Sequence, residues 1–519
     1  MQTSVDLNNV PVLVVGAGIM GAGIVQVAAQ SGHPVLLHDA RAGAAAQARD
    51  KLAATLDGLV AKGKLDAELA RATLARITPI ERLDQAAGVR LVVEAVVESL
   101  DVKRALFREL EAIVGADCVL ATNTSSISVT AIANGLQQPG RLVGMHFFNP
   151  VPLMKLVEVV SGLHTDPAVA DAIFRLSKAW NKVPVHCSST PGFIVNRIAR
   201  PYYAETLALL FERAAEPQLV DACQRGAGFR MGACELMDLI GLETNFAVTQ
   251  SVYEAYFYDK RYQPSLIQRE MVAGGLFGRK TGRGFYRYPD GAPALPVAVH
   301  GAPATAREVT VHGEGAIADA LEAAATAALA AQGWGPARVR DSGWTGLAVD
   351  GARLVLTDGR TATERALAFG SAEVAVFDRP LAQPTPPGTA LAYALAEGAS
   401  AAWQAQAPAW LAALGFSPLR LADTPGLVVA RTVAMLVNEA ADAVQQGVCT
   451  PEGADQAMKL GVNYPAGPFE WLARWPVTEV VDLIDALDAH YRGERYRVSP
   501  WLRARARAAA LAAAARPAP

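Results

Sequence analysis

Residues 10–40, "VPVLVVGAGIMGAGIVQVAAQSGHPVLLHDA", restrict what this chain can fold into more than any other stretch. An apolar run, a glycine turn, a helical segment and a second apolar run ending in Asp39 together read as a βαβ unit. Gly16, Gly18 and Gly21 form G-x-G-x-x-G directly after the first strand, with Ile19 and Met20 opening the helix between them. Glycine lets the backbone turn tightly and approach a pyrophosphate, and the free N–H groups of a helix start favour its negative charge. Asp39, 23 residues after Gly16, stands where a carboxylate can accept both hydroxyls of a ribose and would repel a 2′-phosphate. NAD is therefore the expected cofactor over NADP, with Arg41 as the one opposing signal nearby.

The alternation continues through "GVRLVVEAVVE", the amphipathic "DVKRALFRELEAIV", "DCVLATNTS", "RLVGMHFF" and "KLVEVV", which predicts a doubly wound sheet over residues 1–188. Ligands of such sheets lie beyond the carboxyl ends of the strands, and "ATNTSS" falls at one of them. Ser125 and Ser126 then lie near the nicotinamide crevice, or serve as helix caps. At "STPGFIVNRIARPYYAETLALLFERA" the texture changes, and Thr190 and Pro191 are expected as N-cap and first residue of a long helix. An all-helical domain is expected over 189–292, followed by an alanine- and proline-rich linker, "APALPVAVHGAPATA".

A chain of 519 residues exceeds one ordinary core. With 47 basic and 50 acidic residues the net charge is -3, which offers no bulk attraction to nucleic acid or to an anionic membrane. No apolar run reaches the roughly 18 residues of a membrane span, and the first residues lack a charged segment followed by an apolar one. A cytoplasmic protein is expected. Its five cysteines are scattered without C-x-x-C spacing and its eight histidines do not cluster, so no metal site is expected.

One later stretch, "GMHFFNPVPLMKLVEVV", places His146 and Glu158 inside apolar strand-like runs. Alternation sets Leu156, Glu158 and Val160 on one face, so Glu158 points inward. A buried carboxylate needs a partner, and His146 is the local candidate. A satisfied core histidine with a separate structural glutamate is the bland alternative.

From residue 421 the helical pattern returns. Thr190 matches Thr424, Glu205 matches Glu439, and Gly232 matches Gly467 after a one-residue slip. The second helical copy spans 421–510, and Asn196 of the first copy aligns with Ala430 of the second. Between the copies, residues 305–420 open with strand, G-x-G-x-x-A and helix, and read as a degenerate Rossmann-like segment. Glu314 would set a carboxylate against a pyrophosphate there, so no second NAD is expected.

Taken in order, "VGAGIMG", "VVEAVVESLDVK", "TNTSSISVT", "GMHFFNPVPLMKLVEVV", "TPGFIVNR" and "GRKTGRGFY" resemble the 3-hydroxyacyl-CoA dehydrogenase family. The second copy, with "NEAADAVQQGV" and "GVNYPAGPFEW", is similar to the long bacterial form associated with phenylacetate breakdown, which implies oxidation of 3-hydroxyadipyl-CoA to 3-oxoadipyl-CoA. The resemblance implies that His146 is the general base and Glu158 its orienting carboxylate, with Ser125 and Asn196 hydrogen-bonding substrate oxygens. It further implies cofactor contacts from Glu98, Lys103, Asn149 and Lys280, coenzyme A contacts from Thr55 and Lys62, the L (S) alcohol as substrate, and a homodimer. Lys62 equally fits a solvated helix face. "RMGACELMD" departs from the family pattern, with Ala233 and Cys234 in place of proline and phenylalanine. Two alternatives stay open: a short-chain 3-hydroxybutyryl-CoA dehydrogenase, and a non-enzymatic NAD-binding protein of the crystallin kind.

Overall fold

The computed structural model describes residues 5–295, 304–381 and 385–515. Residues 296–303 of the expected linker lie outside the described residues. The chain divides into two compact units, one within 1–197 and 443–462, the other within 198–442 and 463–519.

The first unit is built on eight strands: β1 Val12–Val15, β2 Val35–His38, β3 Ile77–Pro79, β4 Leu91–Glu94, β5 Val119–Thr122, β6 Leu142–Phe147, β7 Leu156–Ser161 and β8 Val183–Ser188. Their order is β3-β2-β1-β4-β5-β6-β7-β8, parallel throughout except for the antiparallel pair β6 and β7. β1, β4 and β5 are buried along their whole length, as helices on both faces require, which is why they read as apolar runs without alternation. Chain order reverses between β1 and β4, and this opens the crevice where a doubly wound sheet takes its ligand.

The second unit carries a seven-stranded sheet: β9 Val309–His312, β10 Ala337–Val339, β11 Gly346–Val349, β12 Ala352–Leu356, β13 Val374–Phe377, β14 Thr389–Leu395 and β15 Phe416–Arg420. Its order is β10-β9-β11-β12-β13-β14-β15, with β11 antiparallel to both of its neighbours. This is a reduced α/β sheet with the strand, glycine turn and helix (Ala316–Leu329) of the degenerate segment at one end.

Both helical copies are present, from Arg200–Phe211 to Leu266–Ala273 and from Val429–Gln445 to Pro500–Ala514. Within the second unit they meet through reciprocal contacts. Glu205 accepts from Arg431 Nε at 2.9 Å, Arg495 Nη2 at 3.0 Å and Tyr496 Oη at 3.1 Å. At the matching position of the other copy, Glu439 accepts from Tyr262 Oη at 2.6 Å and Arg261 Nη1 at 3.4 Å. Arg261 and Tyr262 precede Arg495 and Tyr496 by the same 234 positions that separate Glu205 from Glu439. Residue i meeting j′ while i′ meets j is the pattern of a self-complementary interface.

One expectation is corrected. Thr190 does not cap a helix beginning at Pro191: its buried Oγ1 has no hydrogen-bond partner, and residues 191–194 form a turn. Gly192 and Phe193 take positive φ, 75° and 48°, and the helix starts only at Val195. The second copy repeats the turn at Gly426 (φ 70°) and Leu427 (φ 51°), with Thr424 Oγ1 likewise unpartnered. A bulky residue at positive φ is strained and persists only where surrounding contacts fix it.

Candidate active site

The glycine turn follows β1 as expected. Gly16 has φ 107°, and a Cβ there would lie 2.4 Å from Ala95 O. A Cβ on Gly21 would lie 1.8 Å from Gly16 O, so the helix can begin this close to the strand only without a side chain. Gly18 faces open space, and Ile19 is 78% exposed at the start of the helix Ile19–Gln30, with Met20 beside it. Asp39 follows β2 and accepts from the Ala17 amide at 2.8 Å and from Arg41 Nε at 3.1 Å. Burial would raise its carboxyl, but these donors outweigh burial and hold it below its ordinary value. A cavity of about 900 Å³ lies between Gly16, Gly18, Asp39, Arg82, Val96 and Leu106. An uncluttered glycine turn, a lasting carboxylate and an adjoining cavity fit the adenosine and pyrophosphate of NAD.

A second cluster joins the ends of β4 and β5. Glu94, fully buried, accepts from Lys103 Nζ at 2.6 Å, Thr122 Oγ1 at 2.7 Å and the Val96 amide at 2.7 Å. Lys103 is itself buried and also meets Glu98 Oε2 at 3.2 Å. Glu98 Oε1 receives Thr124 Oγ1 at 2.7 Å, the Ser125 amide at 2.9 Å and hydroxyl at 3.3 Å, and the Ser126 amide at 3.1 Å. Burial pushes the Glu98 carboxyl up, but Lys103 and these donors hold it below its ordinary value. Glu98 thereby shapes the turn that carries Ser125. Sequence reasoning missed Glu94, although a glutamate within an apolar run was the same signal that singled out Glu158.

His146 lies near the carboxyl end of β6, directly opposite Glu158 on β7. Its Nδ1 is 2.6 Å from Glu158 Oε2, and both residues are buried. Glu158 Oε1 accepts the amides of Ile194 and Val195, each at 3.0 Å, from the strained turn after Thr190. Phe148 and Phe193 flank the imidazole, with ring centroids at 4.6 and 5.8 Å. A carboxylate can only accept, so Nδ1 carries a proton, and in the neutral ring Nε2 is left with its lone pair. Asn196 follows Val195 in the short helix Val195–Ile198 and is half-buried. Asn149, exposed, stands just beyond β6.

Thr55 and Lys62 are exposed two turns apart on the helix Ala44–Ala61 and its cap, on one face, with Thr55 Oγ1 bonded to Lys51 O at 2.9 Å. Lys280 belongs to the second unit, on the turn Arg279–Thr281, paired with Glu243. Among the described residues no group of His, Cys, Asp or Glu could hold a metal ion, and no helix is long and apolar enough to cross a membrane.

The second unit repeats parts of this layout without its chemistry. Gly313 and Gly315 keep positive φ, 95° and 84°. By strand register, however, Arg340 follows β10 where Asp39 follows β2. β13 and β14 carry no histidine, and Asp378, just after β13, spends its oxygens on the amides of Val428, Val429 and Ala430 at 2.7 to 3.0 Å. The amide-holding half of Glu158's work survives there, and the imidazole-holding half is gone.

An imidazole held as an acceptor, on the same carboxyl edge of the sheet as a dinucleotide cradle, is what an alcohol needs to lose a proton and a hydride together. The class so defined is the NAD-dependent dehydrogenases built on a Rossmann domain. The sequence matches the family described as 3-hydroxyacyl-CoA dehydrogenase, NAD binding domain, over residues 11–190, and its C-terminal domain over 192–288 and again over 426–516. Residues 354–425 match the 3-hydroxybutyryl-CoA dehydrogenase reduced Rossmann-fold domain. The chain is 42% identical over 501 residues to 3-hydroxyadipyl-CoA dehydrogenase of Escherichia coli K12, covering 96% of this chain and 98% of that protein. It is 41% identical over 276 residues to a probable 3-hydroxybutyryl-CoA dehydrogenase of Deinococcus radiodurans, covering 53% of this chain and 99% of that one. The crystal structure of a 3-hydroxybutyryl-CoA dehydrogenase from E. coli K12 matches with a TM-score of 0.86 at 41% identity, covering 98% of this chain and 100% of that one. The chain belongs to the 3-hydroxyacyl-CoA dehydrogenase family, and it is an NAD-dependent oxidoreductase.

Proposed function

We propose that the chain oxidises the 3-hydroxyl of 3-hydroxyadipyl-CoA to the 3-oxo thioester, with His146 as general base and Glu158 as its orienting partner. The observation that carries the mechanism is the 2.6 Å contact between Nδ1 of His146 and a carboxylate fixed by two backbone amides. NAD, when bound, supplies the hydride acceptor. Nε2 of His146 takes the hydroxyl proton as C3 loses hydride, and Glu158 balances the charge that develops on the ring. Because the Ile194 and Val195 amides hold Oε1, the carboxylate meets this charge without reorganising. Ser125 and Asn196 hold the substrate oxygens. Gly16, Gly18, Ile19, Met20, Gly21 and Asp39 receive the dinucleotide, with Glu98, Lys103 and Asn149 in the cofactor roles that the family resemblance implies. Thr55 and Lys62 present a hydroxyl and a cation to coenzyme A.

The dicarboxylic substrate is favoured because the relative matched over nearly all of both chains carries that name, whereas the Deinococcus enzyme covers only the first half. The name of the E. coli crystal structure favours 3-hydroxybutyryl-CoA as the second reading. We place the protein in the cytoplasm, acting on the L (S) alcohol. NADH formation with the two substrates side by side tests the choice. A preference of about tenfold or more in kcat/KM for 3-hydroxyadipyl-CoA is expected, since a site built to pair a terminal carboxylate rejects a chain that lacks it. Equal or reversed preference would establish the short-chain reading.

A further inference from the structure

Residues 443–462 belong by sequence to the second helical copy but by compactness to the first unit. The Ser188 amide donates to Val448 O at 2.9 Å, its hydroxyl to Gly447 O at 2.9 Å, and Arg197 Nη1 to Gln446 Oε1 at 2.8 Å. The helix Pro451–Gly461 then packs on β7 and β8. Two of its glycines set the approach. A Cβ on Gly453 would lie 2.8 Å from Val185 Cγ1, and one on Gly461 would lie 2.8 Å from Leu156 Cδ2 and 2.9 Å from Val195 Cγ2. Leu156 shares a strand face with Glu158, two residues on, and Val195 donates one of the amides that hold it.

The second unit contains the matching arrangement. The Ala422 amide donates to Ala214 O at 2.9 Å, which is the Ser188 to Val448 bond carried 234 positions along and reversed between copies. The helix Pro217–Gly226 of copy 1 packs on β14, where a Cβ on Gly226 would lie 2.6 Å from Ala390 O. Each helical copy thus backs the sheet of the other module.

We infer that residues 446–461 of the second helical copy are a positioning element for the first site, holding β7 and the 190–195 turn so that Glu158 meets His146. This rests on the proposed roles of His146 and Glu158. It also gives the copy that lacks the asparagine a use in the reaction. Their effect passes through Leu156 and Val195, the side chains that Gly461 meets.

Gly461→Ala and Gly461→Val in the full chain test it, with kcat, KM, NADH affinity by fluorescence and thermal melting read together. Added bulk at Gly461 displaces Leu156 or Val195, and sub-ångström misplacement of a reacting pair is felt in turnover, so kcat should fall by at least about tenfold in Gly461→Val and less in Gly461→Ala. NADH affinity should stay within about twofold of the parent, because the glycine cradle is untouched. Leu156→Ala added to Gly461→Val should restore most of kcat by making room, while the constant NADH affinity separates this from a general loss of stability. Gly226→Val, which crowds β14 at the Ala390 carbonyl, should leave kcat unchanged. Should Gly461→Val not fold, Gln446→Ala is expected to lower kcat at constant NADH affinity. Unchanged kcat in a folded Gly461→Val or Gln446→Ala, or equal loss in Gly226→Val, would overturn the inference. Wild-type chain without 3-hydroxyacyl-CoA turnover would overturn the functional reading as well, and so separates the two failures.

Discussion

Glu158 has four lone-pair sites and divides them between two tasks. Oε1 fixes the turn through two amides, and Oε2 fixes the imidazole tautomer. Glu158→Gln would keep the shape but present an amide that can donate toward Nδ1, which favours the wrong tautomer. We expect kcat to fall at least about a hundredfold with NADH affinity unchanged, measured by steady-state turnover and fluorescence titration. Asp39 works differently, since its carboxyl is held below the ordinary 3.8 and stays ionised through the neutral range. Its contribution is present above that value and lost only as pH falls through the lowered one, so NADH affinity should show no transition from this group between about pH 5 and 8.

At the scale of elements, the turn after Thr190 and its repeat after Thr424 each deliver helix-start amides to a carboxylate. In the second unit that carboxylate is Asp378, which takes four amides, those of Arg379, Val428, Val429 and Ala430, and no histidine. Asp378→Ala would leave those amides buried without acceptors, so we expect a loss of stability of about 2 to 4 kcal/mol by denaturant unfolding, with NADH affinity unaffected. The βαβ unit, the strand pair carrying His146 and Glu158, and the duplicated helices were legible in the sequence because each rests on local periodicity or on a motif of fixed spacing. The turn itself was not. Thr-Pro is an ordinary helix start, and nothing in the residue types marks Phe193 for positive φ. Lys103 was legible as part of a motif, but its burial between Glu94 and Glu98 was not, because Glu94 reads in the sequence only as one residue of an apolar strand.

For the molecule as a whole, the reciprocal pairing of the helical copies rests on charges that cannot be lost singly. Arg431 is fully buried beside Glu205, and burial, which would raise that carboxyl, is outweighed by Arg495 and Arg431, which hold it below its ordinary 4.5. Glu205→Gln would strand a buried arginine, with an expected loss of roughly 3 to 5 kcal/mol near neutral pH. The contribution of Glu205 is present above about 4.5 and declines as pH falls toward the lowered value. The difference in melting temperature between wild type and Glu205→Gln should therefore be constant from pH 7 to 5 and narrow below 4.5. We expect that duplication has not doubled the site: Glu314 stands between the glycines of the second turn and Arg340 stands where Asp39 would, so titration should give one NADH per chain, unaltered by Gly313→Val. The exchange that packs 443–462 with the first unit was invisible in the linear pattern, because its hydrogen bonds join residues 249 to 260 positions apart.

The measurement closest to the chemistry compares NADH formation by wild type and His146→Gln with saturating 3-hydroxyadipyl-CoA, alongside NADH binding to each. A base at His146 predicts that the variant folds and binds NADH as the parent does while hydride transfer falls by at least about a hundredfold. Retained turnover in a variant with intact binding would contradict it.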